Sequence, residues 1–200
     1  MGLHKTPPEI EENITKKVKF FWFDKRKYKE IKQITSTPEF IMGLIFLLAR
    51  SLNFFYKNRL NFKKFKKFNS ENFFPKMIST SSLGIIGHGR IGSQLAKYAK
   101  SFGMKVFVYS PKKIINTKGI FQLRNLKMLA KKSDFISNNA SLNKKNEFFL
   151  DRNFFKMMKK NSYIINTAKG KHLVLNDLIS ALKSNKLRGA ALDVYTDENF

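Results

Sequence analysis

Cysteine is absent from all 200 residues. Its absence rules out disulfides, thiolate metal sites and a cysteine nucleophile, and it suits a reducing, cytoplasmic setting. Long apolar runs are missing as well. The longest, Phe40 to Ala49, is too short to cross a bilayer and meets Arg50 at once, so it reads as a buried helix rather than a membrane anchor. The start of the chain holds Pro7, Pro8, Glu9, Glu11 and Glu12 among few apolar residues, and no signal peptide is visible there. Acids are scarce too: 14 Asp and Glu face 39 Lys and Arg, a formal net charge of +25.

Such an excess attracts polyanions, and nucleic acid is the partner it first suggests. The sharpest local case is Asn61-Phe62-Lys63-Lys64-Phe65-Lys66-Lys67-Phe68, where aromatic and basic residues interleave. A spacing of three between phenylalanines equally suits a helix or turn that lays one face on a core and leaves its lysines in water. Lysine far outnumbers arginine, and Asn, Phe and Ile are abundant, which A/T-rich codons would deliver to any protein. The expectation is therefore no nucleic-acid partner, with a nucleic-acid-binding domain kept as a third reading that rests on charge alone.

The stretch Ser82-Leu83-Gly84-Ile85-Ile86-Gly87-His88-Gly89-Arg90-Ile91-Gly92 carries the most information. An apolar strand enters a three-glycine turn, and Leu95, Ala96, Ala99 and Phe102 continue it at helical spacing. Gly87 permits the tight turn, Gly89 lets backbone approach a pyrophosphate, and Gly92 lets the helix pack closely on its strand. The free N–H groups and positive dipole end of that helix face the anion. Lys105 to Ser110 then closes a βαβ unit.

The spacing elsewhere predicts a helix from Ser36 through Arg50 and on towards Tyr56, opened by a hydroxyl cap, Pro38 and Glu39. Helices are expected over 126–133, 151–159 and 177–184, and strands over 134–138, 162–167 and 189–195. Strands alternating with helices imply an α/β fold with a parallel, doubly wound sheet of Rossmann type. Residues 1–35, with a strand-like Val18 to Phe23, cannot bury a core of their own and read as an incomplete domain remnant. Residues 36–200 read as the dinucleotide-binding domain.

Three stretches in one order, LGIIGHGRIG at 83–92, IINTAKGKHLV at 164–174 and LRGAALDVYTDEN at 187–199, make the chain resemble the D-isomer-specific 2-hydroxyacid dehydrogenase family. The resemblance implies an NAD(P)-binding domain and an oxidoreductase that moves a hydride between nicotinamide and C2 of a small 2-keto or 2-hydroxy acid. It also implies a homodimer when the protein is complete. By position, Gly87, Gly89 and Gly92 match the phosphate turn, with Arg90 and Ile91 against the pyrophosphate. Asp193 matches an aspartate near the nicotinamide carboxamide, and Glu198 a glutamate that pairs with the catalytic histidine. No metal is implied.

The chain departs from the family pattern in three places. The arginine that clamps the substrate carboxylate is Lys169 here, which keeps the charge and loses the planar fork. Ser110, followed by Pro111, Lys112 and Lys113, stands where an acid would accept hydrogen bonds from the adenosine ribose, which leans the cofactor from NAD towards NADP. The Pro-His pair carrying the catalytic histidine lies beyond the glutamate in the family and does not occur before Phe200. His88 and His172 read as local or surface residues. The expectation is a domain truncated before its histidine segment and inactive alone, or else a non-catalytic dinucleotide-binding regulatory module or an inactive truncated copy.

Overall fold

The computed structural model describes residues 35–52, 75–112, 114 and 118–196, all within one unit, Ile34–Phe200. The expected strand at Val18 to Phe23, the Asn61 to Phe68 stretch, Lys113 and Glu198 lie outside the described residues. Among those described are six strands: β1 (Ser82–Ile86), β2 (Lys105–Tyr109), β3 (Ile120–Gln122), β4 (Phe135–Asn138), β5 (Ser162–Asn166) and β6 (Leu187–Leu192). They form one sheet in the order β3-β2-β1-β4-β5-β6, with every pairing parallel. Strand order reverses between β1 and β4, which leaves a crevice at their C-terminal ends.

Helices cover both faces, as parallel strands require of their connections. They are α1 (Ser36–Ala49), α2 (Arg90–Ser101), α3 (Leu126–Lys132), α4 (Arg152–Met157) and α5 (Leu175–Lys183). The period-two alternation of strand side chains sorts the core into two layers. Leu83, Ile85, Val106, Val108, Phe135, Tyr163 and Ile165 meet α1 and α2 through Ile41, Ile45, Leu95 and Ala99. Ile86, Phe107, Ile136 and Ile164 face the other way, onto Leu129, Phe154, Phe155 and Leu178 of α3, α4 and α5. The central strands β1, β4 and β5 are buried along their whole length, which explains why they read as continuous apolar runs rather than alternating ones.

The hydroxyl cap expected at Ser36 is not made. Thr35 is the N-cap of α1, its carbonyl accepts from the Glu39 N–H at 2.9 Å, and no side chain caps the helix. Burial of Ile41, Met42, Ile45, Leu48 and Ala49 is what holds α1, with spacings of three and four aligning them on one stripe. Two caps do form: Asn125 accepts from Met128 N–H and Asp151 from Phe154 N–H, each at 2.8 Å. Strand β3 was not expected from the sequence, and α5 begins two residues before Asp177.

At the N-terminal edge of the sheet, Asp134 ties β1 to β4. Its carboxylate accepts from Ser82 N–H (2.9 Å), Ser82 Oγ (2.7 Å), Lys76 Nζ (2.8 Å) and Lys159 Nζ (3.3 Å). Burial pushes its pKa up, but the bonds from Lys76 and Ser82 outweigh this and hold it well below the ordinary 3.8.

Candidate dinucleotide site at the C-terminal edge

The opposite edge of the sheet gathers the expected site residues. Tyr109, Ile86, Asn138, Asn166 and Leu192 are neighbours in register across β2, β1, β4, β5 and β6. The residues that follow them, Ser110, Gly87, Asn139, Thr167 and Asp193, therefore open five loops along one line. With strands about 4.8 Å apart, that line is roughly 19 Å long.

Its centre is the turn from β1 into α2. Gly87 sits at φ +91°, and a Cβ there would lie 2.9 Å from the Ala140 backbone. The Gly87 N–H donates to the Tyr109 carbonyl at 2.8 Å, which fixes where the chain leaves the sheet. A Cβ on Gly92 would strike the Gly87 carbonyl oxygen and come within 3.2 Å of Ile85 Cγ2. Closeness to the strand is thus the lesser constraint on Gly92, and closeness to the turn's own carbonyl the greater. Gly89 is different: a Cβ there would meet nothing within 4 Å. It is the N-cap of α2, with no side-chain cap bond and no acid in the first turn. Open space before a glycine cap and the leading N–H groups of a 12-residue helix fit an anionic group. Arg90 and Ile91 are the first residues of α2, Arg90 exposed and Ile91 packed against the core.

The loop after β5 is built by side chains. Asn138 Nδ2 donates to Asn166 Oδ1 at 3.0 Å and lies 2.9 Å from His172 Nδ1. Asn166 Nδ2 donates to the Lys169 carbonyl at 3.0 Å, and Asn166 Oδ1 also accepts from Ala168 N–H at 3.3 Å. These bonds orient both amides, so His172 Nδ1 is an acceptor and its proton sits on Nε2. His172 is fully buried, not a surface residue, with its ring edge-on to Phe149 and its Nε2 without a protein partner. Burial lowers its pKa below 6.5, and the same cause lowers that of half-buried His88. Lys169 and Asp193 are both exposed on this edge, and the Asp193 N–H donates to the Asn166 carbonyl at 3.0 Å.

After β2, half-buried Ser110 accepts from Lys112 N–H at 3.3 Å through Oγ. Gln122, at the end of β3, donates to the carbonyls of Ser110 (3.1 Å) and Lys112 (2.9 Å) and accepts from Ile114 N–H (2.9 Å). Sequence reasoning missed Asn138, Asn166 and Gln122 as builders of the site. One signal was present: two apolar, buried strands each end in asparagine. Among the described residues, no group of three or more His, Asp and Glu is placed to hold a metal. Among them, too, no helix is long and apolar enough to cross a membrane.

Residues 42–200 match the model of a family described as D-isomer specific 2-hydroxyacid dehydrogenase, NAD binding domain. The chain belongs to this family. The D-3-phosphoglycerate dehydrogenase of Methanocaldococcus jannaschii is 34% identical over 166 residues, which is 82% of this chain and 31% of that protein. Among solved structures, the D-lactate dehydrogenase of Aquifex aeolicus, complexed with NAD and lactic acid, superposes with a TM-score of 0.75 at 31% identity. That match covers 84% of this chain and 50% of the other. An acyclic imino acid reductase in complex with NADPH and D-Arg gives a TM-score of 0.72 at 31% identity, over 83% of this chain and 52% of its own. The chain thus spans about a third of the curated relative and about half of these solved chains. What it carries is the NAD-binding domain of the D-isomer specific 2-hydroxyacid dehydrogenase family, on a Rossmann-type sheet.

Proposed function

We propose that this domain binds a nicotinamide dinucleotide along the C-terminal edge of its sheet, for hydride transfer to or from C2 of a small 2-keto or 2-hydroxy acid in the full protein. The observation that carries the reading is the turn at Gly87–Gly92. Two of its glycines are packed against backbone, while the third, Gly89, opens onto free space in front of a helix N-terminus. On this reading the pyrophosphate lies on the α2 N–H groups with Arg90 and Ile91 beside it, and the adenosine ribose lies at Ser110. The nicotinamide lies between Asp193 and the Lys169 loop. Bound nicotinamide supplies or accepts the hydride.

The chain's own residues do the holding. Lys169 presents one cation to the substrate carboxylate, without the bidentate grip of an arginine. Neither described histidine on this edge is assigned the proton transfer, because His172 is buried with Nδ1 committed to Asn138 and His88 lies inside the phosphate turn itself. Glu198 is assigned to tune a histidine supplied from elsewhere in the full protein. Ser110 with Lys112 removes the repulsion a carboxylate would give a 2′-phosphate, so NADP is accepted at least as well as NAD. The reductase relative in complex with NADPH is in line with that. The full protein is read as a cytoplasmic homodimer, and its charge as codon bias rather than a nucleic-acid surface.

A second reading, a dinucleotide sensor without turnover, is favoured by Lys169 alone, since a single point charge orients a keto acid less well than a fork. Calorimetry separates binding from its absence. The wild-type chain should bind NADH or NADPH, and Gly89→Val should abolish binding by filling the open space at the cap. Equal affinity for the two proteins would overturn the reading.

A further inference from the structure

Strand β3 is only three residues long and exposed at the edge of the sheet, yet it ends in a side chain that organises the loop of a neighbouring strand. Its pairing places Gln122 opposite Val108, two residues before Ser110. Leu123 N–H adds a bond to the Val108 carbonyl at 2.8 Å, and the Phe121 ring leans on Phe107 with Lys105 Nζ 5.5 Å above it. These contacts anchor an edge that has little core of its own.

From that anchor the Gln122 carboxamide engages the turn after β2 at three points. Its Nε2 gives both hydrogens to carbonyls, those of Ser110 and Lys112, and its Oε1 takes the Ile114 N–H. Donors and acceptors are matched at each end, so the amide has one orientation. The stretch from Ser110 to Lys112 is closed further by the bond from Lys112 N–H to Ser110 Oγ. One glutamine thus bonds the backbone of both Ser110 and Lys112, the residues that place a hydroxyl and a cation here.

We propose that Gln122 is a specificity-determining positioning residue, which sets how Ser110 and Lys112 meet the adenosine ribose or its 2′-phosphate. The inference rests on the reading above that a nicotinamide dinucleotide lies along this edge. Gln122 does not touch the nucleotide. It holds the two residues that do. Removing its three bonds leaves Ser110 and Lys112 in a looser turn, and the nucleotide with the extra phosphate loses more because it depends on a cation in a fixed place.

The test is calorimetry of NADPH and NADH binding to the 200-residue chain, its Gln122→Met variant, which keeps the length and loses the bonds, and Gln122→Asn, which is too short to span both carbonyls. Thermal melting checks the fold of each. Both variants should lower the NADPH-to-NADH affinity ratio about fivefold, the effect of roughly one net hydrogen bond. Ser110→Asp should shift the ratio towards NADH in the wild type and by less in the Gln122→Met background, since the position it alters is no longer held. Equal losses for both nucleotides would make Gln122 merely structural and overturn the proposal, as would an unchanged ratio. If the wild-type chain binds neither nucleotide, the functional reading fails and takes this inference with it.

Discussion

Two loops leave the same edge of the sheet, two strands apart, and they are built by opposite means. The turn after β1 is shaped by side chains that are missing: at Gly87 and Gly92 a single added carbon would collide with backbone. The loop after β5 is shaped by side chains that are present, in a buried chain of bonds from His172 through Asn138 and Asn166 to the Lys169 carbonyl. At those two positions the first arrangement tolerates no added atom, because a backbone collision cannot be relieved by a rotamer change. The second is sensitive to lost bonds, because unpaired polar groups in a dry interior cost about 1–3 kcal/mol each.

The largest expected effect belongs to the first loop. Gly92→Ala should cost about 3 kcal/mol or more in urea unfolding, since the new methyl meets the Gly87 carbonyl. Gly89→Ala, three residues away in the same turn, should cost less than about 1 kcal/mol because its space is open. Similar costs at the two positions would remove the distinction between a packed glycine and an open one.

Next comes the second loop. Asn138→Ala strips His172 Nδ1 of its donor and takes one of the two donors from Asn166 Oδ1, for an expected loss of about 2 kcal/mol. Replacing Asn138 and His172 together by leucine should cost less than the sum of the single replacements, because an apolar pair leaves fewer orphaned groups. Strict additivity in that cycle would show that the two side chains do not act together.

The smallest effect is the dependence on pH. His172 has a folded pKa lowered from 6.5 by burial, so the folded state binds its proton less readily than the unfolded chain. Its neutral form supports the fold at high pH, and that support is lost as pH falls below about 6.5. Melting temperature should therefore drop between pH 7 and 5, by less in His172→Leu, with the remaining slope owed to His88, shifted in the same direction. A further loss should begin below about 3.8, where the unfolded chain takes up a proton that folded Asp134, held ionised by Lys76 and Ser82, does not. An identical slope from pH 7 to 5 in His172→Leu would show that His172 is not the sensitive group.

The contrast between the loops also explains what could be read from the sequence. A glycine turn is visible because glycine alone lacks a Cβ, so its spacing after an apolar run announces its geometry. The βα alternation was equally legible, since continuous apolar strands between amphipathic helices admit few other folds. Asn138, Asn166 and Gln122 gave no such notice, because asparagine and glutamine are frequent on surfaces and their bonds depend on which strands become neighbours. His172, which reads from the sequence as a local or surface residue, hides its burial for the same reason: its partner lies 34 positions away along the chain. Strand β3 escaped notice because Ile-Phe-Gln is too short to show a period and is exposed at two of three positions. The cap expected at Ser36 failed for a different reason, since burial of one face of α1 suffices to hold the helix without it.

The most direct test of the account is a map of where the dinucleotide binds. Adding NADH to the isotope-labelled chain should move the amide resonances of Gly87, Gly89, Arg90, Ile91, Gly92, Ser110 and Asp193, along one edge of the sheet. Those of Lys105, Ser162 and Leu187, at the N-terminal ends of their strands, should stay in place. Shifts centred on that opposite edge, or no shift at the glycine turn at saturating NADH, would contradict it.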